Sequence, residues 1–123
     1  MQFTVAGHTI DPAAPLIYMW EIHDQHGGLV GRYIGKAQAG ARRPTKHYER
    51  NVNNILGGRP YRKGKPEGYR RVHRALAQAH EAGHAIRLYF LCNVGQEEDI
   101  NVVEQRWIKE KNCLGSQPWQ LNG

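Results

Sequence analysis

Cysteine is nearly absent from this chain: 123 residues carry only Cys92 and Cys113, and neither belongs to a Cys-x-x-Cys pair. That excludes a disulfide framework and a zinc ribbon, and both thiols are expected in a core kept reduced. Long apolar runs are missing as well. No stretch approaches the roughly 18 apolar residues of a membrane span, and the N-terminus Met1–His8 has no charged segment leading into an apolar run. The chain is therefore expected to be soluble and cytoplasmic, with no membrane partner. Repeats and low-complexity linkers are lacking too, which at this length points to one domain with a real core. Acidic residues are in short supply: 11 Asp and Glu face 17 Lys and Arg, for a formal charge of +6. An anionic partner is the natural expectation.

What is present is a set of strand and helix signals in an α+β order. Residues 1–14 read as an arm or short strand, broken by Pro12 and Pro15. Residues 15–36 read as a hairpin whose turn is Asp24-Gln25-His26-Gly27-Gly28. A helix is predicted over about 44–56, with Pro44 in its first turn and Gly57-Gly58 as its stop. A Gly/Pro/Lys/Arg loop follows at 57–68. A second helix is predicted over 69–82, a strand over 85–92 and a third helix over 97–112, opened by Glu97, Glu98 and Asp99. The tail from Cys113 reads as irregular. The expectation is a small sheet, three-stranded or so, with helices packed on it.

Onto these elements the chain places an ordered series of polar groups. Tyr18 lies on the first hairpin arm, and Tyr33 follows fifteen residues later within Arg32-Tyr33-Ile34-Gly35-Lys36. Arg43 stands ten residues after Tyr33, and His47 four after that. Residues four apart share a helix face. Glu104 falls one turn after Ile100, at the edge of the stripe Ile100, Val103 and Trp107. A carboxylate on a half-buried face needs a cation or a metal as partner. The types fit phosphodiester hydrolysis. A guanidinium matches phosphate oxygens, a carboxylate suits Mg²⁺, and a phenol or imidazole near a cation can act as base.

A second feature is the basic run. Arg59, Arg62, Lys63, Lys65, Arg70, Arg71 and Arg74 bring seven cations into 16 residues against Glu67 alone. Tyr61 and Tyr69 interleave them, as on nucleic-acid surfaces. A DNA contact is expected there, the loop dipping toward a groove and the arginines following the backbone. His73, His80 and His84 have helical spacing, but His84 follows Gly83 and no His-Glu-x-x-His is present.

The ordered set resembles the GIY-YIG nuclease family. Leu16-Ile17-Tyr18 is similar to its first motif, with Leu16 where the family usually has Gly. Arg32–Lys36 is similar to the second motif. Arg43 and His47 match the helix Arg and its following His or Tyr, Glu104 the metal-binding glutamate, and Asn122 the late asparagine. The resemblance spans roughly residues 15–122, so the nuclease-like domain is 15–123 with a basic insertion at about 57–68. It implies a DNA endonuclease of restriction, phage, homing or repair type, using one Mg²⁺ (or Mn²⁺) per active site. It also implies roles. Glu104 would hold the metal, Arg43 the phosphate, and Tyr18 would activate water with Lys36 or His47. Tyr33 would orient water or phosphate, and Asn122 would brace the site. Because Pro44 disfavours a helical Arg43, Arg42 is the substitute, with Arg43 preferred for its pairing with His47. A double-strand break would imply a homodimer or higher assembly, or two visits. The alternatives are a catalytically silent nucleic-acid-binding module of the same fold, or an RNA-directed nuclease.

Overall fold

A computed structural model describes every residue of the chain except His8. The chain is α+β, with an open four-stranded mixed sheet and three helices. Strands β1 (Thr4–Ala6), β2 (Leu16–His23), β3 (Leu29–Ala37) and β4 (Ala85–Asn93) lie in the order β1-β4-β2-β3. The sheet thus has one strand more than expected, because the N-terminal arm pairs in parallel with β4. β2 is central and buried along nearly its whole length, which accounts for its unbroken run Leu-Ile-Tyr-Met-Trp.

Both faces of the sheet are covered. Tyr18, Trp20 and Ile22 pack under α1 (Tyr48–Leu56) and α2 (Arg71–Ala82), against Tyr48, Val52, Val72 and Leu76. Ile17, Met19 and Ile34 pack under α3 (Ile100–Glu110), against Val103, Ile108 and Cys113. Cys92 and Cys113 are both free thiols. No helix among the described residues is long and apolar enough to cross a membrane.

The hairpin forms as the sequence predicts. Asp24 accepts from the backbone N–H groups of His26 and Gly28, and Gly27 takes the positive φ of +80° that the turn requires. The helix boundaries differ in instructive ways. The first helix begins earlier, with Arg43–His47 wound as one π-helical turn before α1. Pro44 has no N–H to give the regular ladder, and Thr45 satisfies Ala41 and Arg42 carbonyls with its hydroxyl. The second helix starts only at Arg71, since Arg70 is extended (φ −76°, ψ 160°). Gly83 ends it in the left-handed region. The third is shorter than 97–112. Asp99 caps it by accepting from the Asn101 N–H, while Glu98 accepts from the Gly95 N–H outside the helix.

The tail is not irregular in its contacts. β3 is an edge strand, and the chain end lies along it. Arg32 N–H donates to the Trp119 carbonyl (2.9 Å), and Leu121 N–H to the Arg32 carbonyl (3.1 Å). The Asn122 amide then brackets Ile34, accepting from its N–H (2.9 Å) and donating to its carbonyl (2.8 Å). This pairing stops at Ile34, beyond which β3 borders a cavity.

Candidate functional site

Beyond Ile34 the edge of β3 carries Gly35 and Lys36. Gly35 stands opposite Tyr18 in the antiparallel register. A Cβ there would run into the Tyr18 ring, so glycine is what lets the phenol lie across the strand. Because β3 is an edge, side chains from both faces of the sheet can meet around it. They do so in a cavity of about 390 Å³ lined by Tyr18, Tyr33, Lys36, Gln38, Arg43, Arg70 and Glu104. Five of the residues singled out in the sequence, borne on β2, β3, the π turn and α3, therefore converge.

The phenolic side is tightly bonded. The Tyr18 and Tyr48 hydroxyls are 2.7 Å apart and buried. Arg70 donates to the Tyr48 hydroxyl and, at 3.0 Å, to the Tyr33 hydroxyl. Its guanidinium lies over both of those rings, 5.5 Å from each centroid. Tyr48 accepts from Arg70, so its own proton is free for the Tyr18 oxygen. Burial pushes the Tyr18 hydroxyl up to about 12, the Tyr48 bond, Arg70 and Arg43 pulling the other way. Burial also raises Tyr48. Beneath them His73 is buried edge-on to Tyr48, and its Nδ1 accepts from the Arg70 N–H. Burial, then the Arg70 charge, lowers its pKa to about 4.

The opposite side is open. Glu104 is half-buried and makes no ion pair among the described residues. Burial raises its pKa despite Lys36 and Arg70. Lys36 donates instead to Asn101 on α3.

Two expected residues do not reach this cavity. His47 lines a neighbouring concavity with Arg43 and Arg50. Its Nδ1 faces the Arg50 guanidinium at 3.3 Å, and burial followed by Arg43 and Arg50 keeps it neutral near pH 7. The π turn explains the displacement: it brings residues five apart into register, so Tyr48, not His47, is the partner one turn after Arg43. Asn122 is also outside, acting on the Ile34 backbone. Arg43 itself lines the cavity from within the π turn, and Arg42 does not.

The basic segment divides. Arg70 belongs to the cavity. Arg71 donates to the carbonyls of Pro118, Gln120 and Gly123 and so holds the tail. Arg74 pairs with Glu67 (3.3 Å) and covers Tyr69. Arg59 donates to Asn54, and Arg62 lies over Tyr61. Lys63 and Lys65 are exposed on a tight turn bridged by Arg62 and Lys65. The three helix-spaced histidines separate: His73 is in the core and His80 is exposed. No group of three or more His, Cys, Asp or Glu among the described residues could hold a metal ion.

Sequence reasoning missed Tyr48 and the cavity role of Arg70. Tyr48 follows His47 directly, and Pro44 was the signal that the turn is irregular. Arg70 is the extended residue just before the helix start, which nothing in the local pattern marks. No protein-family model, curated protein or solved structure matches this chain.

Proposed function

We propose that this chain is a divalent-metal-dependent DNA endonuclease of the GIY-YIG kind. The observation that carries the reading is the convergence of Tyr18, Tyr33, Lys36, Arg43 and Glu104 on one small cavity at the sheet edge. These groups come from four separate elements, and core packing alone gives no reason for so polar a set to meet.

The residues fit the metal the reading requires. Glu104 is a half-buried carboxylate without an ion-pair partner among the described residues. One hard oxygen ligand suits Mg²⁺, which keeps most of its waters. Glu104 would hold it. Bound there, a divalent ion would offset charge on the phosphate and stabilise the leaving oxygen.

The chain's own groups supply the rest. Arg43 offers its planar fork to the scissile phosphate. Tyr33, fixed by Arg70, orients the phosphate or the attacking water. Tyr18 is the candidate base. Its hydroxyl holds its proton in the resting protein and must give it up to solvent before it can take one from the attacking water; Arg70 and Arg43 provide the positive field that favours the phenolate. Tyr48, donating to Tyr18 and braced by Arg70, stabilises that phenolate and takes the place expected of His47. Asn122 sets the Ile34 backbone and so the position of Tyr33 and Gly35. One such cavity cuts one strand, so a double-strand break calls for two copies or two visits.

The test is incubation with supercoiled plasmid and Mg²⁺ or Mn²⁺, beside Glu104→Ala. Nicked or linear product from the wild type alone is expected. DNA that shifts in a gel but stays intact with every divalent metal would leave a binding module in place of the enzyme. Competition with RNA of the same sequence separates the RNA-directed reading.

A further inference from the structure

Beside the catalytic cavity lies a larger concavity of about 1020 Å³. It shares Gln38 and Arg43 with the smaller one, so the two run together. Its walls carry Arg42, Lys46, His47 and Arg50, and no carboxylate lines it. Glu49, the acid of that helix, turns to a different cavity on the far side, with Arg87. Charge is therefore segregated around the helix. Arg42, Lys46 and Arg50 all line this one concavity and are all exposed. None of the three forms an ion pair among the described residues. The floor is made by Ala37 and Ala39, too small to hold a ligand away from the cations. Arg42 to Arg50 is eight residue steps, at most about 12 Å along a helix, the axial rise of about three nucleotides on one strand.

We propose that the Arg42–Lys46–Arg50 row is a track for the phosphate backbone of duplex DNA running out of the catalytic cavity. This rests on the nuclease reading for the path's direction. It extends the phosphate contact beyond Arg43 and its substitute Arg42, which the sequence placed there, along the π turn into α1, and reduces the share of the 57–74 segment. Arg43 marks the junction: the strand that presents its scissile phosphate there continues along the row.

The experiment uses Glu104→Ala protein, so that DNA is bound without being cut. A fluorescein-labelled duplex is titrated by anisotropy between about 50 and 200 mM salt. In that background Lys46→Gln with Arg50→Gln is compared with Lys63→Gln with Lys65→Gln, and with Arg87→Gln as a remote charge control. All five residues are exposed, and circular dichroism verifies the fold. Removing one cation that neutralises a phosphate lowers the slope of log K against log salt by about 0.9. The row pair should therefore flatten it by nearly two units, while Arg87→Gln leaves it in place. A row pair whose slope matches the Glu104→Ala parent, or falls no further than the Arg87→Gln control, overturns the track. The readout does not depend on cleavage. A chain that binds through the row yet never nicks DNA sinks the nuclease reading and leaves the track standing. A chain that nicks with an unchanged slope sinks the track alone.

Discussion

The two walls of the sheet-edge cavity are built on opposite terms. On the phenolic wall the three hydroxyls are all bonded: Tyr18 has Tyr48, Tyr48 has Arg70, and Arg70 also holds Tyr33, while beneath them only the buried His73 Nε2 is left without a partner. On the carboxylate wall Glu104 stands half-buried with no cation within ion-pair distance among the described residues, and burial raises its pKa. A satisfied buried network fixes geometry, while an unsatisfied charge costs stability until something arrives to meet it. The first wall is a fixed template. The second leaves a carboxylate unpaired.

If the phenolic wall is the source of the base, its members should separate sharply on substitution. Tyr18→Phe removes the proton acceptor and is expected to lower the rate of DNA nicking about 10²- to 10⁴-fold. Tyr48→Phe removes one hydrogen bond to it, worth on the order of 1.4 kcal/mol, for about a tenfold loss. His47→Ala, on the neighbouring concavity, should change the rate only a few-fold. Single-turnover nicking rates under saturating protein decide the ranking. A His47→Ala loss as deep as that of Tyr18→Phe would mean that the helix closes further on DNA than the free chain indicates.

His73 gives the phenolic wall a pH signature. Its folded pKa, near 4, lies below the ordinary 6.5 because it is buried beneath Tyr48 and near Arg70. The unfolded chain therefore binds the proton first. Stability should be full above about pH 6.5 and fall as the pH drops toward 4, by on the order of 3 kcal/mol. Urea unfolding of the wild type and His73→Gln across this range measures it, and the variant should lack that part of the slope.

How much of this was legible in the sequence differs between the walls. Glu104 could be placed from the stripe Ile100, Val103 and Trp107, because a regular helix turns residue spacing into a face. Tyr18 and Tyr33 could be placed because strand pairing and a short turn confine a hairpin to few registers. Tyr48 could not, since its place depends on a π turn, and the interval of four that selected His47 holds only for a regular helix. Arg70 is a long-range matter: its guanidinium reaches back 37 positions to Tyr33, and local patterning carries no such signal. The arm at 1–14 and the tail at 113–123 share that limit. β1 finds β4 and Asn122 finds Ile34 only once the sheet exists, so both read as loose ends. Charge density carries no sign of intrachain partners either: Arg71 and Arg74, expected at the DNA surface, also bond the tail carbonyls and Glu67.

The smallest effect bears on the carboxylate wall and runs against intuition. Burial raises the Glu104 pKa in the folded state, so the folded chain takes up a proton more readily there than the unfolded chain. Its contribution therefore favours folding at low pH and is lost as the pH rises through the folded value. Glu104→Gln keeps the shape and removes the charge. In the absence of divalent metal it should melt at a slightly higher temperature than the wild type at neutral pH. That gap should close as the pH falls below the ordinary glutamate range, where the wild-type side chain is neutral in both states. Adding Mg²⁺ should raise the wild-type melting temperature and leave Glu104→Gln where it was, because only the carboxylate binds the ion. A neutral-pH gap of the opposite sign would mean that Glu104 is held by Lys36 or Arg70 in solution. The contrast between the two walls would then fail at its open side.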